Sequence, residues 1–141
     1  MNYTRIILAA VVGWGVYFAC GAVVFGKLIA DYYRPYPGVY RSADAVMSYF
    51  PIGIAGTLLA ILVLAVMYAK GYQGGPRVLE GARFGALIGL FVVFAVVGDE
   101  YVTLNIGGKL AVAMAIGRLV GWIIVGMAIG LVYKPSKPLA H

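Results

Sequence analysis

The chain has 141 residues, 63% of them hydrophobic and 11% charged, with a formal net charge of +6. A soluble globular domain is roughly half apolar and a quarter charged, so this composition excludes one. The bases sit at the ends of apolar runs and not in a stripe interleaved with exposed aromatics, which points to membrane topology, with lipid as the partner, and excludes a nucleic-acid surface.

The first predicted element is a transmembrane helix over about 5–29. Its apolar run from Ile6 to Phe25 is about twice the length of a signal-peptide core, so it reads as a retained span. Tyr17-Phe18-Ala19 is a poor lipoprotein cleavage site before Cys20. Small residues Ala9, Gly13, Gly21 and Gly26 favour close helix packing. Lys27 at the far end can snorkel to the headgroups.

The stretch 31–44 holds Pro35, Pro37 and Gly38, which interrupt any continuous helix. Its tyrosines Tyr32, Tyr33, Tyr36 and Tyr40, with Tyr49 further on, suit the membrane–water boundary, where the ring is apolar and the hydroxyl wet. A ligand cage is the other use such a group would have. Ser42 or Asp44 is placed to cap a short surface helix ending near Phe50. Pro51 then falls in the first turn of a second transmembrane helix over about 51–69. Lys70 and Gly71 close it, and the link that follows, with Gly74, Gly75, Pro76 and Arg77, is polar and basic.

A third helix is expected over about 81–105. Gly81, Gly85 and Gly89 form a ridge on one face, where a second backbone can approach. That ridge packs either inside one bundle or between copies of the chain. Gly107 and Gly108 mark a reversal, and a fourth helix over about 110–133 carries the small-residue pairs Gly117/Gly121 and Gly126/Gly130. The expected fold is all-α: one membrane domain, 1–141, forming a four-transmembrane-helix bundle. A faint repeat allows two tandem hairpins: Gly56 to Tyr68 matches Gly121 to Tyr133, and Gly13 with Phe18 matches Gly89 with Phe94. Their pseudo-twofold axis would run along the membrane normal.

Arg5, Lys70, Arg77, Arg83, Lys134 and Lys137 flank one side of these helices; Lys27, Arg34, Arg41 and Lys109 flank the other. Six bases against four favour both termini in the cytoplasm.

Arg118 carries the sharpest chemical signal. It lies roughly 13 Å into its helix from Lys109, at ~1.5 Å per residue. A charge there costs on the order of 3 kcal/mol, so it needs a partner or a water path. The reversal at Gly107-Gly108 brings it level with Val97 and within a turn of Asp99 and Glu100. Two readings stay open: an ion pair with Asp99 or Glu100, or acids solvated at the headgroups while Arg118 snorkels or pairs with a neighbouring subunit. An ion pair there is more often structural than catalytic and could fix helix register without performing any reaction; a proton or substrate relay is the lesser reading.

Other chemistry has little to draw on. The one histidine, His141, is terminal. Ser-His-Asp catalysis and imidazole-held haem, pigment or metal are therefore not expected, and no cofactor or metal is assigned. Cys20 is alone, so no intrachain disulfide forms.

Four segments carry a family resemblance: Phe25-Gly26-Lys27, the run from Glu80 to Gly85, the run from Tyr101 to Gly107, and Gly126 through Pro135. Together they resemble uncharacterised bacterial four-helix membrane proteins known only as domains of unknown function. The resemblance implies the fold and a bacterial inner membrane, and supplies no activity. The leading expectation is a non-enzymatic protein working through helix packing, as a homo-oligomer or beside a larger membrane partner. A transporter or channel-like module with a polar path at Arg118, Asp99 and Glu100 comes second. A membrane enzyme or lipid-binding protein, using the cleft under the tyrosine loop, comes third.

Overall fold

The computed structural model describes residues 1–135, the side chain of Ala43 excepted. Lys137 and His141 lie outside the described residues. Those residues form six helical segments and no strand: α1 (Tyr3–Val23), α2 (Ala30–Tyr33), α3 (Ala43–Gly71), α4 (Arg77–Val92), α5 (Gly98–Thr103) and α6 (Gly108–Val132). A π-helical turn, Val24–Leu28, prolongs α1, and another, Val93–Val97, joins α4 to α5. Four spans result, Tyr3–Leu28, Asp44–Gly71, Arg77–Thr103 and Gly108–Val132, each long and apolar enough to cross a membrane. At ~1.5 Å per residue even the shortest, 25 residues, exceeds the roughly 30 Å of bilayer hydrocarbon. The protein is an all-α, multi-pass membrane protein built as a four-helix bundle.

Local chemistry sets the helix ends. The Asn2 side chain accepts a hydrogen bond from the Arg5 N–H (3.2 Å), and Ser42 accepts one from Ala45 (3.4 Å), each capping a helix start. The cap at Ser42 does not open a separate surface helix. α3 runs unbroken from Ala43 through Pro51, so its start is earlier than the sequence suggests. The proline is tolerated because the carbonyl it leaves without a partner belongs to Met47, a 66% exposed residue at the helix's outer end. The third span likewise starts at Arg77, ahead of the glycine ridge. The tight turn before it needs Gly74, whose φ of 89° is in the left-handed region.

In cross-section α6 lies between α1 and α4, and α3 packs mainly on α1 while also touching α6. α1 and α4 have little direct contact with each other. Both expected hairpins are in place, α1 with α3 and α4 with α6, but they are packed differently. Between α1 and α3 side chains mesh, with a hydrogen bond from Trp14 Nε1 to Thr57 Oγ1 (3.3 Å). Between α4 and α6 the backbones touch. A Cβ on Gly81 would strike the Gly126 carbonyl, one on Gly85 the Trp122 carbonyl, and one on Gly130 the Arg77 carbonyl.

Two apolar clusters divide the bundle along its axis. One, at the terminal end, gathers Ile6, Ile61, Tyr68, Val125, Ile129 and Tyr133 from α1, α3 and α6. The other, at the loop end, gathers Ile29, Val97, Ile106, Leu110 and Met114. The terminal end is sealed by aromatics. Tyr68, 3% exposed, meets Phe84, Tyr133 and Tyr72 at ring separations of 5.5, 5.9 and 6.0 Å. Its hydroxyl donates to the Arg77 carbonyl (3.4 Å), and Arg77 Nη1 donates to the Leu131 carbonyl at the end of α6 (3.2 Å).

Candidate functional site

Arg118 lies about 15 Å along α6 from Gly108 at ~1.5 Å per residue, near the middle of its span. Side chains on a helix lean toward its N-terminus, which for α6 is the loop end. The guanidinium is thereby carried toward the acids of α5. Its Nη2 donates to Glu100 Oε1 at 3.0 Å. The two side chains are 23% and 26% exposed, so the pair is largely withdrawn from solvent. The other carboxylate oxygen, Glu100 Oε2, is buried with no hydrogen-bond partner among the described residues.

The π turn at Val93–Val97 explains why Glu100 and not Asp99 faces Arg118. Gly98 N–H bonds to the Val93 carbonyl, five residues back, which puts one extra residue into the turn. Everything beyond is rotated by roughly 100°, one residue's share of a 3.6-residue turn. The buried stripe through Gly81, Gly85 and Gly89 accordingly continues at Val97 and leaves Val96 exposed. Glu100, three residues past Val97, follows the same face. Asp99 and Tyr101 point outward and are exposed.

Beneath the tyrosine loop, with Arg118 in its lining, is a half-open cavity of about 800 Å³. α1 supplies Tyr17, Phe18, Cys20 and Gly21 and its π turn Val24 and Phe25; α6 supplies Met114, Gly117, Arg118, Gly121 and Trp122. Val92 and Val96 close the α4 side, and Phe50 of α3 completes the wall. Edge-on aromatic contacts brace it: Phe18 with Phe50 at 6.0 Å and Tyr17 with Phe18 at 5.5 Å. Tyr33 and Tyr40 form the roof, their rings 5.0 Å apart. Burial, reinforced by the neighbouring Tyr40, pushes the Tyr33 hydroxyl up to about 12, and burial followed by the nearby Glu100 carboxylate raises Tyr40. Both roof hydroxyls therefore stay protonated at neutral pH. Two wide turns flank the cavity, one from each helix beside α6, and such turns concentrate at functional sites.

No family model, curated protein or solved structure matches this chain. The case for function therefore stands on the geometry.

The glycines expected at helix contacts divide into three uses. Gly81, Gly85 and Gly89 face Gly126, Trp122 and Leu119 across α4 and α6, and Gly130 meets Arg77. The ridge is thus taken up inside the bundle and is not an outer face. Gly117 turns to α1, where a Cβ would crowd Val24 Cγ1 at 2.5 Å. Gly121 departs from the packing pair expected of it: a Cβ there meets nothing within 4 Å, because it opens onto the cavity. Gly21 is placed in the same way.

The tyrosines divide too. Tyr32 and Tyr49 are exposed, Tyr49 beneath the Arg41 guanidinium at 3.9 Å. Tyr33 and Tyr40 cover the cavity. Tyr36 fixes the second loop, its hydroxyl accepting from the Gly107 N–H at 2.8 Å.

Sequence reasoning passed over Glu80. Its Oε1 accepts from the Gly75 N–H (2.9 Å), while Oε2 is buried without a partner among the described residues. An acid in the first turn of a helix was the available signal. Neither π turn had one, since the pattern of a long apolar helix is unchanged by one inserted residue.

Proposed function

We infer that this is a non-enzymatic membrane-embedded binding protein whose ligand is a hydrophobic molecule held in the cavity beneath Tyr33 and Tyr40. The observation that carries this reading is the cavity itself. It is a half-open cleft, and its volume of about 800 Å³ lies within the range that binding sites occupy. Its lining is mostly aromatic and aliphatic. That supplies shape and apolar area and offers no paired acid and nucleophile. α1 and α4, which flank it, are little engaged with each other, so access from the bilayer follows as part of the same reading.

The expectation that the protein acts through an outward glycine face draws no support from the ridge, which α6 covers. A transporter would need a second opening, and the Tyr68, Tyr72, Phe84 and Tyr133 cluster stands across the terminal end. In the reading favoured here both termini are cytoplasmic, the membrane is a bacterial inner membrane and the tyrosine loop faces outward, on the count of flanking bases.

The test uses Gly121→Phe, a side chain placed where a Cβ meets open space. After mild-detergent purification, mass analysis of the wild-type protein is expected to show a co-purifying hydrophobic molecule that this variant loses while keeping its helical content. Equal retention of that molecule by both proteins refutes the cavity as the site.

A further inference from the structure

We propose that the cavity takes an amphiphile with one anionic headgroup, and that the headgroup competes with Glu100 for the Arg118 guanidinium. This rests on reading the cavity as a ligand site and adds the ligand's chemistry. Among the described residues lining the cavity, Arg118 is the one charged side chain. A lone cation in an otherwise apolar wall selects for an anion, because an uncompensated charge in lipid surroundings is costly and a charge-assisted bond is strong there.

Glu100 already neutralises Arg118, but incompletely. The bond is single, from Nη2 to Oε1, and the remaining guanidinium donors have no hydrogen-bond partner among the described residues. A guanidinium binds a carboxylate or phosphate best through two parallel bonds. The resident carboxylate uses one oxygen and leaves Oε2 orphaned, so an incoming headgroup able to form both bonds would outcompete it. Glu100 is close to the end of α5 at Thr103, where a displaced carboxylate meets interfacial water. The rest of the ligand is apolar, since the cavity continues from Arg118 past Gly21 and Gly121 toward Tyr17, Phe18 and Trp122.

Cys20, the chain's single cysteine, lines the cavity and supplies the readout. In phosphatidylcholine vesicles, the rate of Cys20 modification by a small maleimide is measured against added palmitate or hexadecanol, which share a chain and differ in headgroup charge. A second pair, vesicles doped with phosphatidic acid or with diacylglycerol, distinguishes a phospholipid source from a free fatty acid.

Wild-type protein is expected to be protected at a palmitate concentration about tenfold below that for hexadecanol, or by phosphatidic acid at about a tenth of the diacylglycerol level. Glu100→Gln, which frees Arg118, is expected to enlarge that preference severalfold. Arg118→Gln with Glu100→Gln removes both charges together and is expected to abolish the preference while protection by the neutral partner persists. Equal protection by charged and neutral members of both pairs in wild-type protein overturns the proposal and leaves the cavity reading standing. So does a preference that survives in the double variant. Protection by none of the four compounds overturns both readings.

Discussion

The two sides of α6 are made of the same apolar residues and are built on opposite principles. Toward α4, glycines remove side chains so that the α4 and α6 backbones touch. Toward α1, glycines at 21 and 121 remove side chains and nothing takes their place. The same residue type closes one side and opens the other. What differs is the neighbour: a helix crossing at backbone distance in one case, two helices parted by α6 in the other. The π turns fall toward the loop end, on both helices that flank α6. Each re-aims the residues after it, and one of them delivers Glu100 to Arg118.

The sharpest way to break this contrast is to place the same side chain on both sides of α6. Gly85→Leu drives a Cβ into the Trp122 carbonyl, a backbone atom that cannot give way. It is expected to destabilise the bundle by about 3 kcal/mol or more, read as loss of helical signal at lower denaturant in detergent. Gly121→Leu fills open space and is expected to change stability by less than about 1 kcal/mol. Equal damage from the two substitutions would show that both glycines serve packing and that the open side is not open.

A smaller effect separates the two loop-end tyrosine roles. Tyr36→Phe removes the acceptor for the Gly107 N–H and should cost about 1 kcal/mol, with faster amide exchange at Gly107. Tyr33→Phe leaves that loop bond intact, so exchange at Gly107 should stay as in the wild type.

The smallest expected effect is a pH dependence. The Tyr33 hydroxyl is pushed up to about 12 from its ordinary value of 10.0. Its folded pKa is above the unfolded one, so the folded state holds its proton longer. The associated stability is complete below about pH 10 and is lost as pH rises toward about 12. Thermal unfolding followed across that window should show a decline that Tyr33→Phe makes shallower.

Much of this was legible without coordinates, and for a clear reason. Lipid cannot hydrogen-bond a peptide group, so a chain this apolar must fold as spanning helices, and their number follows from the charged and proline-bearing interruptions. Antiparallel register placed Arg118 beside the acids of the third span, because register depends only on the position of the turn at Gly107-Gly108. The spacing of Gly81, Gly85 and Gly89 foretold a close helix contact for the same local reason. The choice between Asp99 and Glu100 was not legible. A single inserted residue at Val93–Val97 rotates everything after it, and no residue type there announces the insertion.

Sequence alone therefore determined the solvent, the number of spans and the near approach of opposite charges, since each depends on composition or on distance along the chain. Tertiary structure decided which acid turns inward, which glycines touch a neighbour and which face a void, and that three of the loop tyrosines are occupied with the protein itself. Those outcomes depend on where a second helix lies in space, and a helix's own sequence records its faces without recording what stands opposite them.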